Sequence, residues 1–212
     1  MKLTVFGATG GIGGHVVRQA LDAGHEVTAV VRDPSRLGID SDGDGRLEVV
    51  RADLTDARSL GAALAGRDAV LSGLGARSRK DAGVAARLTR TVLDAMEAAE
   101  VRRLVVVSAA PVGPEPDDGF LDRGMRAIVS TVLRDVYDDL RAMEAALAGS
   151  ATDWTVVRPP RLQDKPLTGR YRTVVGGFPP RGRFIGRADV AHAMLALTGD
   201  PGAVKQGVGV AY

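Results

Sequence analysis

Lys2-Leu3-Thr4-Val5-Phe6-Gly7-Ala8-Thr9-Gly10-Gly11-Ile12-Gly13 is the stretch on which the reading of the whole chain turns. Leu3 to Phe6 is a short apolar, β-prone run, and from Ile12 to Ala23 the apolar residues recur at helical spacing. The stretch therefore reads strand, glycine turn, helix. Each spaced glycine has a physical reason: Gly7 allows a sharp turn, Gly10 lets backbone approach a ligand without a Cβ, and Gly13 lets the helix pack closely on the strand. In that arrangement backbone N–H groups and the helix N-terminus face a pyrophosphate, so Gly7, Thr9, Gly10, Gly11, Ile12 and Gly13 are candidate dinucleotide contacts.

Working outward, Glu26 to Val31 reads as a second strand and closes a βαβ unit. The alternation continues with strands near Leu47 to Arg51, Ala69 to Gly73 and Leu104 to Ser108, separated by helices near Ala57 to Ala65 and Val84 to Ala99. Further on come a long helix from about Arg126 to Ala148, a sixth strand Trp154 to Val157, one short β-prone run Tyr171 to Val175, and a last helix Asp189 to Thr198. Strands alternating with helices imply an α/β, doubly wound parallel sheet of the Rossmann type. With 212 residues, the chain is read as one domain, 1–212, with a small substrate-lining region at about 159–187.

The second strand ends at Arg32, where dinucleotide-binding proteins that prefer NAD commonly carry an acid for the ribose hydroxyls. Arginine there suits a 2′-phosphate, and Arg36 one short turn on adds charge, so NADP(H) is expected over NAD(H); Asp33 keeps NAD in play. Asp53, with Leu54 beside it, follows the third strand and either meets the adenine edge or caps the next helix. The run Asp40-Ser41-Asp42-Gly43-Asp44-Gly45 looks like half of a calcium loop, but its twelfth position is Arg51 in a strand, so it reads as a polar turn.

Composition removes chemistries. There is no cysteine, so disulfides, thiolate nucleophiles and thiolate metal sites are excluded. His15, His25 and His192 show no metal-ligand spacing, and no metal site is expected. No apolar run approaches the length of a membrane span, and no signal-peptide pattern opens the chain, so a cytoplasmic protein is expected. Formal net charge is +2, yet residues 158–187 hold eight Arg or Lys against the single Asp164. That local excess suits a small anionic ligand better than a nucleic acid. The Tyr–Lys pair, four residues apart, that supplies acid–base chemistry in many short-chain dehydrogenases is missing; Tyr137 precedes Arg141 at that spacing, usually a surface pair. Ser108, at the carboxyl end of the fifth strand, either faces a ligand or bonds backbone.

These residues carry a resemblance. Gly7-Ala8-Thr9-Gly10, Val31-Arg32-Asp33, Leu74-Gly75-Ala76-Arg77, Val107-Ser108-Ala109, Pro159-Pro160, Pro166-Leu167-Thr168-Gly169-x-Tyr171 and Ile185-x-Arg187-x-Asp189-Val190 run nearly end to end. The chain resembles the atypical short-chain dehydrogenase/reductases, and within them the biliverdin-IXβ reductase/flavin reductase proteins. The resemblance implies an NADPH-dependent monomer that reduces flavins, with linear tetrapyrroles as a further substrate class, and takes flavin as substrate, not as tightly bound cofactor. It further implies that Thr9, Arg32, Asp53, Leu74, Gly75 and Arg77 line the cofactor and that Ser108 sits beside the nicotinamide. Where mammalian members carry a histidine after Pro-Pro, this chain has Arg161, which is no proton donor at neutral pH. Arg161, with Arg170 or Arg172, suits a flavin phosphate such as that of FMN. The rival readings are a redox sensor that binds NADP without turnover, similar to fungal nitrogen-repression regulators, and a reductase or epimerase of another small molecule.

Overall fold

The computed structural model describes residues 1–39, 45–75, 83–113 and 133–212. The strands β1 (Lys2–Phe6), β2 (Glu26–Val31), β4 (Ala69–Ser72) and β5 (Arg103–Val107) are buried on both faces for most of their length, as the near-continuous apolar runs of a parallel sheet require. They join β3 (Leu47–Arg51), β6 (Asp153–Arg158), β8 (Arg172–Val175) and β10 (Gln206–Ala211) in one sheet ordered β3-β2-β1-β4-β5-β6-β10-β8. All pairs are parallel except β8 against β10. Two short strands, β7 (Arg161–Gln163) and β9 (Phe184–Gly186), pair separately.

Alternation along the strands builds two cores. Leu3, Val5, Ala29, Leu71, Val105 and Val157 point to one face, covered by α1 (Gly11–Asp22) and the final helix, α5 (Arg187–Thr198). Phe6, Val30, Val70, Leu104 and Val106 point to the other, covered by α2 (Gly61–Leu64), α3 (Val84–Ala98) and α4 (Arg134–Ala148). Two hydroxyls buried between these layers are satisfied: Thr4 Oγ1 donates to Ala63 O and Thr155 Oγ1 donates to Ala203 O at 2.7 Å, as buried polar groups require. The chain winds from β1 outward to β3 and returns to β4 on the other side of β1, so the winding direction reverses between β1 and β4. Doubly wound sheets bind ligands at the carboxyl ends of the strands flanking that reversal.

Three differences from the sequence reading stand out. The segment read as a helix over Ala57 to Ala65 is a 3-10 turn, Ala57–Leu60, running into the single turn α2. The long helix begins, among the described residues, at Arg134; the expected residues 126–132 lie outside the described residues, as do 40–44 of the polar turn. The strand β10 was not expected, and its glycines explain why. A Cβ on Gly209 would lie 2.5 Å from Gly177 O and 2.7 Å from Phe178 Cα, and one on Gly207 would run into the Arg158 guanidinium. Close packing, not a turn, puts glycine in that strand, at odds with ordinary strand composition.

Candidate functional site

The chain leaves β1 at Gly7 with φ +74, a conformation that favours glycine. A Cβ there would lie 2.8 Å from the Gly73 carbonyl at the end of β4, and Gly73 N donates to Phe6 O at 3.0 Å. The turn closes through Gly10 N donating to Gly7 O at 2.8 Å. A Cβ on Gly13 would collide with that same carbonyl. The helix therefore starts hard against the strand end. Gly10, its N-cap, has no side chain to cap it, and the first intrahelical bond runs from Gly14 N to Gly10 O at 2.9 Å. The amides of Gly11, Ile12 and Gly13 precede that bond and are left for a ligand, at the positive end of the helix dipole.

A cleft of about 820 Å³ opens over this turn. It gathers Gly7, Thr9, Gly10, Gly11, Ile12, Arg32, Asp53, Leu54, Leu74 and Gly75, residues named from sequence on four separate segments. Gly13 supports the turn from behind. A smaller recess of about 350 Å³ is lined by Thr9, Arg32, Asp33 and Arg36. Asp33 turns its carboxylate onto Ser35, accepting from Ser35 N at 3.1 Å and from Oγ at 2.7 Å. These bonds hold its pKa below the usual carboxylate range, against a smaller opposing effect of burial and with help from Arg36 and Arg51. Of the two roles read for Asp53, capping falls to Asp56, whose carboxylate accepts from Arg58 N at 3.0 Å. Arg77 lies outside the described residues.

The start of α3 forms the opposite wall through Val84, Arg87 and Leu88. Its N-cap is Gly83, with φ +85, so capping is supplied from α4: Asp139 accepts from Ala85 N and Ala86 N, both at 2.9 Å. Tyr137 is buried under the same helix at 8% exposure, where burial raises its pKa, and Arg141 pairs with Asp138 at 2.7 Å. The Tyr137–Arg141 spacing therefore assembles no acid–base pair. Ser108 is 6% exposed, and its Oγ has no hydrogen-bond partner among the described residues.

The region at 159–187 contributes Leu162 of β7 and Arg187 of α5 to the cleft. Arg161, beside Leu162, is exposed and is not among the residues that line the cleft. Asp189, fully buried, ties the Pro166–Gly169 loop down: its carboxylate accepts from Thr168 N at 3.0 Å, Thr168 Oγ1 at 2.9 Å, Gly169 N at 2.8 Å and the Tyr212 hydroxyl. Burial pushes the Asp189 pKa up, and the bonds from Tyr212, Gly169 and Thr168 more than reverse this, leaving it lowered. Tyr171, whose hydroxyl lies 2.7 Å from His192 Nδ1, is pushed up to about 12 by burial and by the charge of Asp189. Arg172 donates to Pro180 O at 2.9 Å and Tyr212 O at 2.6 Å, and Arg158 pairs with Glu144. Sequence reasoning did not assign Arg87, Leu162 or Arg187 to this cleft. Nothing local marks them, because each reaches it by tertiary packing.

Residues 7–201 match the model of a family described as NAD(P)H-binding. The chain belongs to that family. A solved protein of Burkholderia pseudomallei is 28% identical and covers all of both chains with a TM-score of 0.81. ChuY, an anaerobilin reductase of Escherichia coli O157:H7, is 22% identical over 100% of this chain and 97% of its own, with a TM-score of 0.79. A Streptococcus pneumoniae protein assigned as an NADH-flavin reductase is 21% identical over 100% of this chain and 99% of its own, with a TM-score of 0.77. Protein TIC 62 of Pisum sativum is 27% identical over 73% of this chain, which spans only 32% of that protein's length. The expected NAD(P)-binding doubly wound fold is borne out. The cleft fits a dinucleotide on its own terms: glycines where a Cβ would block the turn, uncapped amides at α1, and Arg32, Arg87 and Arg187 in its lining.

Proposed function

We propose that this NAD(P)H-binding protein is an NADPH-dependent reductase acting on a flavin or similar planar acceptor. One observation carries the reading. Among the described residues, the titratable side chains lining the cleft are three arginines, Arg32, Arg87 and Arg187, which do not give up a proton at neutral pH, and Asp53, which we assign to the adenine end of the dinucleotide, away from the transferred hydride. Such a site suits an acceptor that needs a hydride held close and can take its proton from water. Bound NADPH supplies the hydride.

The chain's own residues position and exclude. Arg32 and Arg36 flank the recess for a 2′-phosphate, while Asp33, engaged with Ser35, does not compete for it. The α1 amides hold the diphosphate. Ser108, just after β5 and with its buried hydroxyl unpaired among the described residues, is the residue we assign to donate a hydrogen bond beside the nicotinamide. Leu162 and Leu88 give the cleft an apolar wall against which a flat ring stacks. Arg161, exposed on β7 beside the cleft-lining Leu162, is the cation we assign to the acceptor's phosphate where that group projects beyond the cleft. The names of the two reductase neighbours support a planar acceptor, and the setting proposed is a cytoplasmic monomer.

The test is NADPH consumption by the purified chain with FMN, FAD and riboflavin as acceptors, followed by absorbance. Turnover above the uncatalysed background, faster with NADPH than with NADH, is expected. Tight NADPH binding without turnover of any flavin would replace this reading by that of a non-catalytic sensor.

A further inference from the structure

Gly11 is the one glycine of the turn whose presence the turn itself does not explain. Its φ is ordinary, and a Cβ built on it meets no part of the turn. It would meet the side chain of Arg187, at 2.7 Å from Cδ and 3.0 Å from Nε. The arginine thus packs against the first residue of α1, and it lines the same cleft. Its backbone is fixed from three sides. Gly186 N donates to the Tyr212 hydroxyl at 3.1 Å, Ala188 O accepts from Gln19 Nε2 at 2.9 Å, and Asp189 is buried.

Among the described residues the guanidinium has one ion-pair partner, Asp164, with Nη1 to Oδ1 at 2.6 Å. The two partners differ in setting: the Asp164 side chain is 88% exposed and that of Arg187 30%. A carboxylate so exposed is a weak holder, since surface pairs of this kind contribute little. A diphosphate seated on the α1 amides presents several anionic oxygens within the cleft, which a guanidinium's fork meets by charge-assisted, bidentate bonds. We propose that Arg187 is a diphosphate-binding residue, and that the dinucleotide's diphosphate takes the place of Asp164 on its guanidinium. Gly11 is glycine to let that arginine lie down. The exchange frees Asp164, three residues after Arg161 in the proposed acceptor region, so cofactor binding is felt there. This rests only on dinucleotide binding and is independent of the acceptor.

The experiment titrates NADPH and NADH, separately and without any flavin, into the wild-type chain and into Arg187→Met, Arg187→Lys, Asp164→Asn and Arg32→Met, reading dissociation constants by calorimetry. Both dinucleotides carry the diphosphate, so Arg187→Met weakens both by the same factor, about 10- to 100-fold. Arg187→Lys weakens both by less, Arg32→Met weakens NADPH alone, and Asp164→Asn binds as tightly as wild type or up to about fivefold tighter. Arg187→Lys keeps the charge and the stem, so it decides the matter should Arg187→Met fail to fold. The proposal falls if Arg187→Met, or Arg187→Lys in its stead, binds both within twofold of wild type, or loses NADPH alone. It falls equally if Asp164→Asn weakens binding as much as the arginine variants do, which would make the pair a strut. A wild-type chain that binds neither dinucleotide overturns the family reading itself, a result seen before any variant is compared.

Discussion

Replacing Asp189 tests the link between the buried polar hub and the loop beside the cleft. The carboxylate accepts four hydrogen bonds, from Thr168 N, Thr168 Oγ1, Gly169 N and the Tyr212 hydroxyl. Buried bonds to a charged acceptor contribute about 1.5–3 kcal/mol each, but Thr168 and Gly169 are exposed, and water can replace the carboxylate there. Counting about 1 kcal/mol apiece puts Asp189→Ala at about 4 kcal/mol. For a chain of this size that is a fall in Tm of about 8–16 °C. Asp189→Asn keeps the shape but turns an amide N–H₂ toward donors, and falls about half as far. Amide exchange at Thr168 and Gly169 should accelerate well beyond the change at β1.

The pH dependence supplies an independent arm. The folded pKa of Asp189 is lowered, so its contribution is fully present above the unfolded value of about 3.9 and is lost as pH falls through the folded value. Wild type should therefore lose stability below about pH 4 that Asp189→Asn does not lose, and the two should converge in acid. Urea titrations of both proteins from neutral pH downward measure this. Parallel acid curves, or a Tm for Asp189→Ala within about 2 °C of wild type, would refute the reasoning.

Arg32→Ala should raise the Kd for NADPH by about 10- to 100-fold and leave NADH within about twofold; equal losses would mean that the guanidinium does not meet the 2′-phosphate. Asp139→Ala strands the amides of Ala85 and Ala86, so it should cost about 2 kcal/mol and weaken NADPH binding through the displaced start of α3. Calorimetry and a dinucleotide titration on the same sample check both parts. Arg161→Ala should raise KM for FMN by about 3- to 10-fold while sparing riboflavin, and a common factor for the two flavins would end its assignment to the phosphate.

The cofactor half of the site was legible because it is local. Strand end, glycine turn and helix start sit within twelve residues, and Arg32, Asp53 and Leu74 each follow a strand that the apolar runs disclose. The C-terminal third was less legible because its order comes from contacts between distant segments. Strand β10 reads as a glycine-rich coil until Arg158 and Phe178 are seen packed against it. Asp189 reads as an ordinary first-turn acid of a helix, and only the fold shows the Thr168–Gly169 loop wrapped onto it. The short helix after β3 failed for another reason: Asp56 caps a 3-10 turn, whose i,i+3 pattern the apolar spacing does not separate from an α-helix.

The basic segment shows why counting charge along a sequence and locating charge in a fold are different operations. Its eight cations suggest one anion site. In the structure Arg158 is half-buried against Glu144, Arg172 braces two carbonyls, and Lys165 lies 5.0 Å from the centre of the Phe184 ring. Arg187 is the member that lines the dinucleotide cleft, and its companions there, Arg32 and Arg87, come from the other half of the chain. The cleft's positive potential is therefore assembled across the sheet's winding reversal, with Arg187 packed on Gly11 as the link between the two halves. A charge scan that neutralised Arg158 or Arg172 would unsettle β10 and its neighbours without touching the ligand. Neutralising Arg187 would leave those contacts intact and remove charge from the cleft wall packed on Gly11 at the start of α1.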